Sequence, residues 1–432
     1  MAFEPVLLTR LPESGREGLE EYTRSGGYKA LGMALNALTP QAVLREVGEA
    51  RLRGRGGAAF PAARKWQLAA SQEADRKYVV ANGGEHEPGS LKDRTLVTLH
   101  PHKVIEGLAL AGYATGAHSG YVYLLADMEA AIAGMEASLE EARDAGFLGE
   151  DIFRSGFFFD VELARAPATY VAGEETAALE AIEGKAAKPR KKPPYPGESG
   201  LFGKPTTVNN VETLANVPGI IANGAPWFRA LGTESSSGTM LFTLGKAVAR
   251  PGVYEMPFGA PFRELIEERG GGLRNGKRVK AFLPALSCAF LPPEALDVAI
   301  DHDAVKQAGS SLGCGGLGIV AEGECLACRT ADIARFFMAE QCGQCSMCRI
   351  LPARRAPHRL TASRSGLGCY AAPRSIVWRC FCPRSSPGRR GPALATSPRI
   401  RPCRRGANRG RRLPIRTAAV SGVVGEIVGE AA

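Results

Sequence analysis

The first 235 residues alternate between short apolar runs and amphipathic stretches. The apolar runs predict strands at 77–82, 120–126 and 157–165, and apolar-faced helices are predicted at 102–116, 127–146 and 174–184. A further helix is predicted from Pro40, because Thr39 is a favourable N-cap and proline suits the first helical position. Strands and helices in alternation indicate an α/β layered domain with a mainly parallel sheet.

A different pattern begins near Gly238. Short apolar runs at 239–245, 252–259 and 279–285 surround one short helical stretch at 261–272, which indicates a small α+β module. From about residue 329, TADIARFFMAEQ predicts a helix that leads into a cysteine-rich run. We therefore divide this part of the chain into three predicted domains: an α/β domain at 1–235, a small domain at 236–325 and the start of a helical domain at 326–349.

The positive charge of the chain is concentrated near its C-terminus. The whole chain carries a formal net charge of +10, but residues 341–425 contain 18 arginines and no lysine, aspartate or glutamate, which leaves −8 elsewhere. An acidic body argues against a nucleic-acid-binding protein. A basic tail that binds polyanions is the alternative, and it predicts salt-dependent binding by residues 341–425.

Residues 350–417 also lack the pattern of a folded segment. They are rich in arginine and proline, contain neither lysine nor acid, and show no 3.6-residue apolar period. A shifted reading frame in GC-rich DNA produces this composition. We therefore hypothesise that a frameshift begins just after Arg349, that 350–417 form an aberrant, disordered segment, and that the true frame resumes near Ala418, in the tail 418–432.

Targeting and membrane signals are weak along the sequence. The N-terminal MAFEPVLLTR contains an acid and lacks a long apolar stretch, so it does not predict a secretory signal. No apolar run approaches the roughly 18 residues of a membrane span. We expect a cytosolic protein or a soluble arm of a membrane complex, in which eleven cysteines favour metal or redox chemistry over disulfides.

A glycine-rich loop, RLRGRGGAAFPAARKW at 51–66, is the first candidate binding element. Its G-x-G-x-x-A pattern matches the dinucleotide fingerprint formally, but a predicted helix precedes the loop where that fingerprint needs a strand. What remains is a loop whose backbone amides can approach a phosphate or a flat ring, with positive charge from Arg53, Arg55 and Lys65. A flexible surface loop is the alternative.

Three further segments place polar side chains where an α/β sheet binds ligands. They are ANGGEHEPGSLKDR at 81–94, which follows a predicted strand, GEET at 173–176, which opens a helix, and GKPTTVNNVET at 203–213. Acids can accept hydrogen bonds from ribose hydroxyls, and the basic KPRKKPPYP at 188–196 could close over phosphates. Each segment has a plainer alternative: a solvated turn, acids that suit a helix dipole, and a polar turn before a helix.

Cys342, Cys345 and Cys348 have the C-x2-C-x2-C spacing of a [4Fe–4S] site, in which a distant fourth cysteine completes the ligand set. Zinc is an alternative, although zinc more often uses two separated pairs. Cys325 and Cys328 form another C-x2-C, which could join the run in a four-cysteine zinc site. Unligated core cysteines are the plainest interpretation.

In this order, the five segments resemble the NADH-binding flavoprotein subunit of respiratory complex I, the bacterial NADH–quinone oxidoreductase. The flavoprotein subunits of NAD-linked formate dehydrogenases and NAD-reducing hydrogenases look alike. The resemblance spans about residues 25–349 and includes LRGRGGAAFP, EPGSLKDR, GEETA, GKPTTVNNVET and CGQCSMCR. It implies an FMN-binding Rossmann-like α/β domain, a ubiquitin-like β-grasp (SLBB) domain and a helical domain that carries a [4Fe–4S] cluster.

The resemblance also implies binding residues, carried over at matching positions. For FMN they are Gly54, Gly56, Gly57, Lys65, Asn82, Glu85, Tyr170, Glu174, Asn209 and Asn210. For the nicotinamide nucleotide they are Phe60, Glu87, Glu175, Lys192 and Tyr195. For the cluster they are Cys342, Cys345 and Cys348, and Cys382 is the nearest match to the fourth cysteine of the family. No side chain is expected to act as a general base, because hydride transfer leaves no proton to abstract at the nicotinamide.

Three positions depart from the family pattern. Gly84 stands where an acid usually contacts the flavin, Leu68 where an aromatic often helps to hold the nucleotide, and Met347 where a proline usually separates the second and third cysteines. These changes affect the expected cofactor affinity more than the expected cofactor identity.

The implied function is NADH oxidation by hydride transfer to FMN, with single electrons passed to the cluster and on to a quinone-reducing respiratory chain. The implied partners are a thioredoxin-like [2Fe–2S] subunit and a larger iron–sulfur subunit of complex I, in a peripheral arm on the cytoplasmic face of the inner membrane. A start close to the flavin domain favours a separate [2Fe–2S] subunit. The alternatives are a diaphorase subunit of a formate dehydrogenase or hydrogenase, and a non-catalytic scaffold without the cluster.

Overall fold

A computed structural model of the chain describes residues 3–9, 15–346 and 348. The aberrant segment expected at 350–417, the tail 418–432, the frameshift hypothesis and the proposed fourth ligand Cys382 all lie outside the described residues. Met347, one of the departures from the family pattern, lies outside them as well.

A parallel sheet and its helices occupy residues 19–230. The strands are β1 (Tyr78–Gly83), β2 (Ser119–Leu125), β3 (Asp160–Ala166) and β4 (Thr206–Asn210). The helices are α1 (Leu19–Arg24), α2 (Lys29–Ala37), α3 (Pro40–Glu49), α4 (Ala62–Ala70), α5 (Lys92–Leu99), α6 (Pro101–Thr115), α7 (Glu129–Asp144), α8 (Glu175–Ile182), α9 (Val211–Ala215), α10 (Val217–Asn223) and α11 (Ala225–Ala230). Short 3-10 turns lie at Ile152–Arg154, Tyr170–Gly173 and Leu201–Gly203.

The strand order of this sheet is β3-β2-β1-β4, and every pair is parallel. Parallel strands need crossover connections, and the helices between them supply these connections. The sheet confirms the predicted α/β class. The three predicted strands correspond to β1, β2 and β3, and the predicted helices correspond to α3, α6, α7 and α8.

Strand β4 was not predicted. GKPTTVNNVET was interpreted as a ligand-binding segment, with a polar turn before a helix as the plainer alternative, yet Thr206–Asn210 pairs with β1 along its whole length. The β-branched Thr206, Thr207 and Val208 favour an extended backbone, and all three are buried. Sequence patterns class threonine as a polar residue even where it is buried. With two threonines among its five residues, β4 therefore lacks the apolar run that predicts a buried strand.

The second sheet is mixed and confirms the small α+β module. Its strands are β5 (Thr239–Leu244), β6 (Gly252–Pro257), β7 (Val279–Leu283) and β8 (Gly316–Ala321), in the order β6-β5-β8-β7. The β5–β6 and β7–β8 pairs are antiparallel, and β5–β8 is parallel. A π-helix (Glu264–Arg269), 3-10 turns at Arg274–Gly276 and Pro293–Asp297, α12 (His302–Gln307) and α13 (Leu326–Ala339) complete the described elements.

Buried polar side chains connect the second sheet region to the glycine-rich loop and to the N-terminal segment. The guanidinium of Arg55 donates from Nε to the Thr239 carbonyl at 2.9 Å and from Nη2 to the Ser237 carbonyl at 2.8 Å. The carboxylate of Glu255 accepts the backbone N–H groups of residues 6–8 at 2.8–3.0 Å. Arg55 was expected to add positive charge toward a phosphate. Instead its side chain is buried and donates its hydrogen bonds to backbone carbonyls.

Helix α6 is the centre of the larger core. Most of its side chains are buried, among them Val104, Ile105, Leu108 and Leu110. Within the described ranges, no helix combines the length and the hydrophobicity that a bilayer crossing requires.

Candidate functional site

The carboxyl ends of β1 and β4 lie side by side and bring three asparagines together. Asn82 on β1 is paired in register with Asn210 on β4, and Asn209 precedes it on the same strand. The glycine-rich loop packs onto the same edge, since a Cβ atom added to Gly56 would lie 3.2 Å from the Cβ of Asn210. The carboxyl edge of a parallel sheet is the usual ligand-binding side, so three predicted segments meet where a ligand is expected.

The side-chain amide of Asn210 is engaged within the protein. Its Nδ2 donates to the Asn82 carbonyl at 3.2 Å and to Asp93 Oδ2 at 2.7 Å. Its Oδ1 accepts from the Glu212 backbone at 3.1 Å, which caps α9, and from Lys92 Nζ at 3.3 Å. Asn210 therefore acts as a helix cap, which was the plainer interpretation of this residue, and it also ties the two strands together.

Asn82 and Asn209 are fixed in a similar way. Asn82 Nδ2 donates to the Gly173 carbonyl at 3.1 Å, and its Oδ1 accepts from the Gly84 backbone at 3.0 Å. Asn209 Oδ1 accepts from the buried Trp66 indole at 2.8 Å. These bonds connect β1 and β4 to the turn before α8 and to α4, and so define the shape of the candidate site.

A buried ion network lies directly behind these asparagines. Lys92 Nζ is 2.6 Å from Asp93 Oδ1 and 2.7 Å from Glu212 Oε2, and all three side chains are almost fully buried. Burial alone would lower the pKa of Lys92, but Asp93 and Glu212 outweigh it and raise the pKa, so the ammonium is charged. Glu212 Oε1 also accepts from the Leu241 backbone at 2.8 Å, which joins the network to β5.

Glu85 holds the loop after β1 in place. Its carboxylate accepts from Ser90 Oγ at 2.5 Å and from the backbone amides of Asp93 and Arg94 at 3.1 Å each. Burial, together with the negative charge of Asp93, raises the pKa of Glu85 to about 6. Glu85 is thus a loop anchor beside the sheet edge.

Two acids and two lysines form a second charged cluster, which we call the lysine–glutamate cluster: Lys65, Glu174, Glu175 and Lys192. Glu175 accepts from Lys65 Nζ at 2.6 Å and from Lys192 Nζ at 2.5 Å. Glu174 accepts from Lys192 Nζ at 3.0 Å and also caps the first turn of α8. The cluster joins α4, which follows the glycine-rich loop, to α8 and to the proline-rich loop.

Both lysines act on the ionisation of Glu175. Burial opposes the charged form, but Lys65 and Lys192 outweigh it and lower the pKa of Glu175 to about 2. The carboxylate is therefore ionised throughout the physiological range.

Glu175→Gln should reduce the pH dependence of folding. The ionised carboxylate contributes up to about 3 kcal/mol above pH 4.5, and this contribution is lost as the pH falls from 4.5 toward 2, because the folded pKa is the lower one. Urea unfolding at several pH values measures it, with Glu140→Gln, at an exposed position on α7, as the control. Equal pH slopes for Glu175→Gln and the unaltered chain would contradict the assignment.

Glu87 is held by the second sheet region. Its Oε1 accepts from the Leu286 backbone at 2.7 Å, and its Oε2 accepts from the Tyr170 hydroxyl at 3.5 Å. Burial raises the pKa of Glu87, while the Leu286 amide and the Cys314 thiol favour the charged form. The region after β7 therefore helps to orient a residue that was assigned to the nucleotide.

Tyr170 connects the candidate site to α13. Its ring packs edge-on against Phe336 and Phe337, with centroids 5.2 and 5.7 Å away. Its backbone N–H donates to Glu340 Oε2 at 2.9 Å. The end of the helix that leads to the cysteine run thus rests on the turn before α8.

The remaining side chains suit a flat, anionic group such as FMN. Gly57 has φ +109°, which favours glycine and keeps the loop free of a side chain. Phe60 and Tyr195 are 45% and 46% exposed, which leaves two aromatic faces for a ring to contact. Next to Gly84, the buried Nε2 atom of His86 has no hydrogen-bond partner, so this loop retains unused hydrogen-bonding capacity. The residues present therefore fit FMN.

Among the departures from the family pattern, Gly84 and Leu68 can be located in the structure. A Cβ atom on Gly84 would lie 3.1 Å from Asn82 Oδ1, from His86 Nε2 and from the Tyr123 ring, so the imidazole and amide fill the space beside it. Leu68 packs within 2.9 Å of the Cβ position of Gly197 in the loop after Tyr195. His86 was recognised as one of the polar side chains of the 81–94 loop but was given no binding role, because one histidine in a polar loop carries no distinguishing pattern.

A surface cleft of about 490 Å³ lies elsewhere, between α8 and the segment after it. Its lining includes Glu180, Glu183, Arg190, Lys191 and Phe202, and none of the predicted site residues. The lining is charged and open, and two of its acids are already paired with Arg190. We therefore assign the candidate site to the sheet edge.

The cysteine run follows α13. Cys342 and Cys348 are half-buried and Cys345 is exposed. Over the ranges that the structure describes, no three His, Cys, Asp or Glu side chains are grouped as a metal site would need. The [4Fe–4S] ligand set thus stays a prediction from the spacing, and so does the alternative in which Cys325 and Cys328 join it around zinc.

Comparison with known families agrees with this architecture. Residues 47–219 match the family model described as the Nuo51 FMN-binding domain, and residues 243–284 match the SLBB domain. The first match contains the glycine-rich loop, the asparagine edge and the lysine–glutamate cluster. The second covers β5 in part, β6 and β7.

Similar proteins cover most of this chain. An NADH-quinone oxidoreductase subunit of Rhizobium meliloti (strain 1021) is 44% identical over 348 residues, which cover 80% of this chain and 83% of that protein. The NADP-reducing hydrogenase subunit HndC of Solidesulfovibrio fructosivorans is 42% identical over 77% of this chain and 68% of its own length.

A solved structure has the same fold. The NAD+-reducing [NiFe]-hydrogenase in the H2-reduced state contains a chain with a TM-score of 0.69 and 33% identity, over 79% of this chain. This chain spans 57% of the length of that hydrogenase chain. The order of the two matched domains and the 44% sequence identity to the Rhizobium meliloti protein lead to the same conclusion. The chain belongs to the family of NADH-quinone oxidoreductase subunits that carry the Nuo51 FMN-binding domain.

Proposed function

We propose that the chain oxidises NADH at a bound FMN and passes single electrons to a [4Fe–4S] cluster, as the NADH-binding subunit of a quinone-reducing complex. The lysine–glutamate cluster carries this proposal. It places two lysines and two acids, of which Glu175 is ionised, beside the glycine-rich loop and inside the segment that matches an FMN-binding domain. Relatives in the same family are named as NADH-quinone oxidoreductase subunits.

The proposed FMN site consists of the loop and strand-end residues. They are Gly54, Gly56, Gly57, Lys65, Asn82, Glu85, Tyr170, Glu174, Asn209 and Asn210. Bound FMN supplies hydride acceptance and one-electron release. The asparagines and Glu85 act mainly by fixing the loops, since their side chains are bonded to the protein. Lys65 contributes positive charge for the phosphate-bearing ligand.

The nicotinamide nucleotide is proposed to contact Phe60, Glu87, Glu175, Lys192 and Tyr195. The exposed aromatic rings suit stacking, and the two carboxylates suit hydrogen bonds from ribose hydroxyls or a carboxamide. These residues would hold and orient the nucleotide beside the flavin, and hydride transfer between the two needs no proton acceptor from the protein. Ionised Glu175 disfavours added negative charge nearby and so helps to set the reduction potential.

The cluster is proposed to use Cys342, Cys345 and Cys348, with Cys382 as the fourth ligand. Thiolates at this spacing suit three irons of one cube, and a bound cluster supplies one-electron transfer. Family membership implies assembly with other subunits of the complex. We propose a thioredoxin-like [2Fe–2S] subunit and a larger iron–sulfur subunit as partners, in a peripheral arm at the cytoplasmic face of the inner membrane.

Flavin absorbance tests the function directly. The purified chain, supplied with FMN, should show a flavin spectrum that bleaches on anaerobic addition of NADH. A chain that binds FMN without bleaching, or that binds neither compound, would instead indicate the non-catalytic scaffold. Lys65→Met should weaken FMN binding, and Lys29→Met, at an exposed position on α2, is the control.

Glu175→Gln tests the nucleotide site. We expect kcat/KM for NADH with ferricyanide as acceptor to fall by about tenfold, the effect of losing one charge-assisted hydrogen bond worth about 1.4 kcal/mol. Glu140→Gln, at an exposed position on α7, should leave it unchanged. Unaltered steady-state kinetics in Glu175→Gln would rule out its role in NADH binding.

A diaphorase subunit of a hydrogenase or formate dehydrogenase is the second candidate. The observation that favours it is the similarity to a hydrogenase subunit at 42% identity, close to the 44% of the NADH-quinone oxidoreductase relative. Affinity purification from the organism that encodes the chain distinguishes the two. Co-purification of quinone-reducing membrane subunits supports the first function, and co-purification of a hydrogenase or formate dehydrogenase large subunit supports the second.

A further inference from the structure

Cys325 and Cys328 lie outside the proposed flavin and nucleotide site. Cys325 is the N-cap of α13, and its Sγ accepts a hydrogen bond from the Cys328 backbone at 3.3 Å. Side chains at the N-cap and at the third helical position lie on the same side of the first turn. The two sulfurs are therefore neighbours, and both residues are exposed.

The surroundings of Cys325 favour a thiolate. The Cys328 thiol hydrogen-bonds the Cys325 sulfur, and together with the Cys328 backbone N–H it lowers the pKa of Cys325. The N-terminus of a 14-residue helix adds a positive dipole. Lys280 adds positive charge nearby, and its ammonium donates to the Glu324 carbonyl at 2.8 Å. These are the conditions under which a paired cysteine becomes reactive.

The other cysteines of the second sheet region differ. Burial raises the pKa of Cys314 and of Cys288, so both are expected to stay as unreactive thiols. Among the described residues, no group of three potential metal ligands includes Cys325 or Cys328. The pair is exposed and lies outside the core, and the zinc site considered above is the competing explanation.

We propose that Cys325 and Cys328 form a redox-active dithiol that exchanges with a small-molecule disulfide. The Cys325 thiolate attacks one sulfur of that disulfide, whose S–S bond breaks and releases one thiolate. Cys328 then loses its proton and attacks Cys325 Sγ, which releases the second thiolate and closes the Cys325–Cys328 bond. The two protons of the dithiol end on the two released thiols, and the external disulfide takes up the two electrons.

Glutathione redox buffers test the proposal on the full-length chain, loaded with FMN where FMN binds. After quenching and alkylation, cleavage behind acidic residues isolates the peptide that begins at Cys325, because Glu324 precedes it. This separates the pair from Cys314. The expected result is a peptide that loses two hydrogens as the proportion of oxidised glutathione rises.

The single variants separate the two roles. Cys328→Ser should trap glutathione on Cys325, whereas Cys325→Ser should react at Cys328 at least tenfold more slowly. The pH at which iodoacetamide reaches half its maximal rate at Cys325 should lie below the ordinary thiol value of about 8.5 and should rise in Cys328→Ser. Cys288→Ser is the control, and it should leave both results unchanged.

Two outcomes would overturn the proposal. One is a peptide that stays dithiol at every glutathione ratio, and the other is zinc in the purified protein that protects both thiols from alkylation. The test does not depend on the proposed function, because it reads sulfur chemistry and not NADH oxidation. A failure of FMN binding would therefore leave the dithiol result intact, and the reverse holds as well.

Discussion

Lys92→Met is expected to lower the free energy of unfolding by about 3–5 kcal/mol, because it leaves two buried carboxylates without their cation. Asp93 and Glu212 lie within 2.6 and 2.7 Å of the ammonium, and both side chains are almost completely shielded from water. Asn210 also loses a donor to its Oδ1. The substitution should therefore weaken FMN binding along with the fold.

Chemical denaturation with urea measures the stability loss. Arg263→Met is the matched control, because Arg263 is paired with Asp297 on the surface, where water screens an ion pair so that it contributes little to stability. Adding Glu212→Gln to Lys92→Met should recover part of the loss, because it removes one uncompensated charge. A Lys92→Met protein as stable as the Arg263→Met protein would contradict the view that the network is buried and charged.

Arg55→Met should loosen the glycine-rich loop. The Arg55 side chain donates to the carbonyls of Arg53, Ser237 and Thr239 at 2.8–2.9 Å, and its guanidinium lies 4.8 Å from the centre of the Phe258 ring. Methionine has a similar length but leaves the three carbonyls without donors. We expect a loss of about 3–5 kcal/mol in stability and an FMN dissociation constant at least tenfold higher.

Two comparisons make this result specific. Arg64→Met, at an exposed position on α4, should change neither quantity. Arg55→Lys keeps the charge but cannot reproduce the planar, forked set of donors. Its stability and its FMN affinity should therefore lie between those of Arg55→Met and those of the unaltered chain. Burial lowers the pKa of Arg55 to about 10, and the guanidinium thus stays charged at pH 7. Unchanged FMN affinity in Arg55→Met would show that the loop holds its shape without this anchor.

The fold was predictable wherever the apolar pattern was continuous. Residues 102–116 gave a clear helix because nearly every side chain of α6 is buried, and the strand at 120–126 was equally clear. Strand β4 was missed because its buried positions include Thr206 and Thr207, which count as polar in a sequence. The identity of a residue does not reveal whether a hydroxyl is buried and bonded.

The candidate site was predictable as a set of segments, but the side-chain partners were not. Asn209 and Asn210 were assigned to ligand edges, whereas both amides are bonded within the protein. Lys92 and Asp93 had a usable signal, since they precede the buried Leu96 and Val97 by four residues each and so share their helix face. A charged pair on an apolar face already predicts a buried ion pair.

The contact between Tyr170 and Glu340 has a consequence for electron transfer. Tyr170 belongs to the proposed flavin site, and Glu340 is only two residues before Cys342. Two residues of extended chain span at most about 7 Å, so Cys342, the first of the proposed cluster ligands, stays close to the proposed flavin site. The hydrogen bond would therefore keep the electron-transfer distance between the proposed flavin site and Cys342 short.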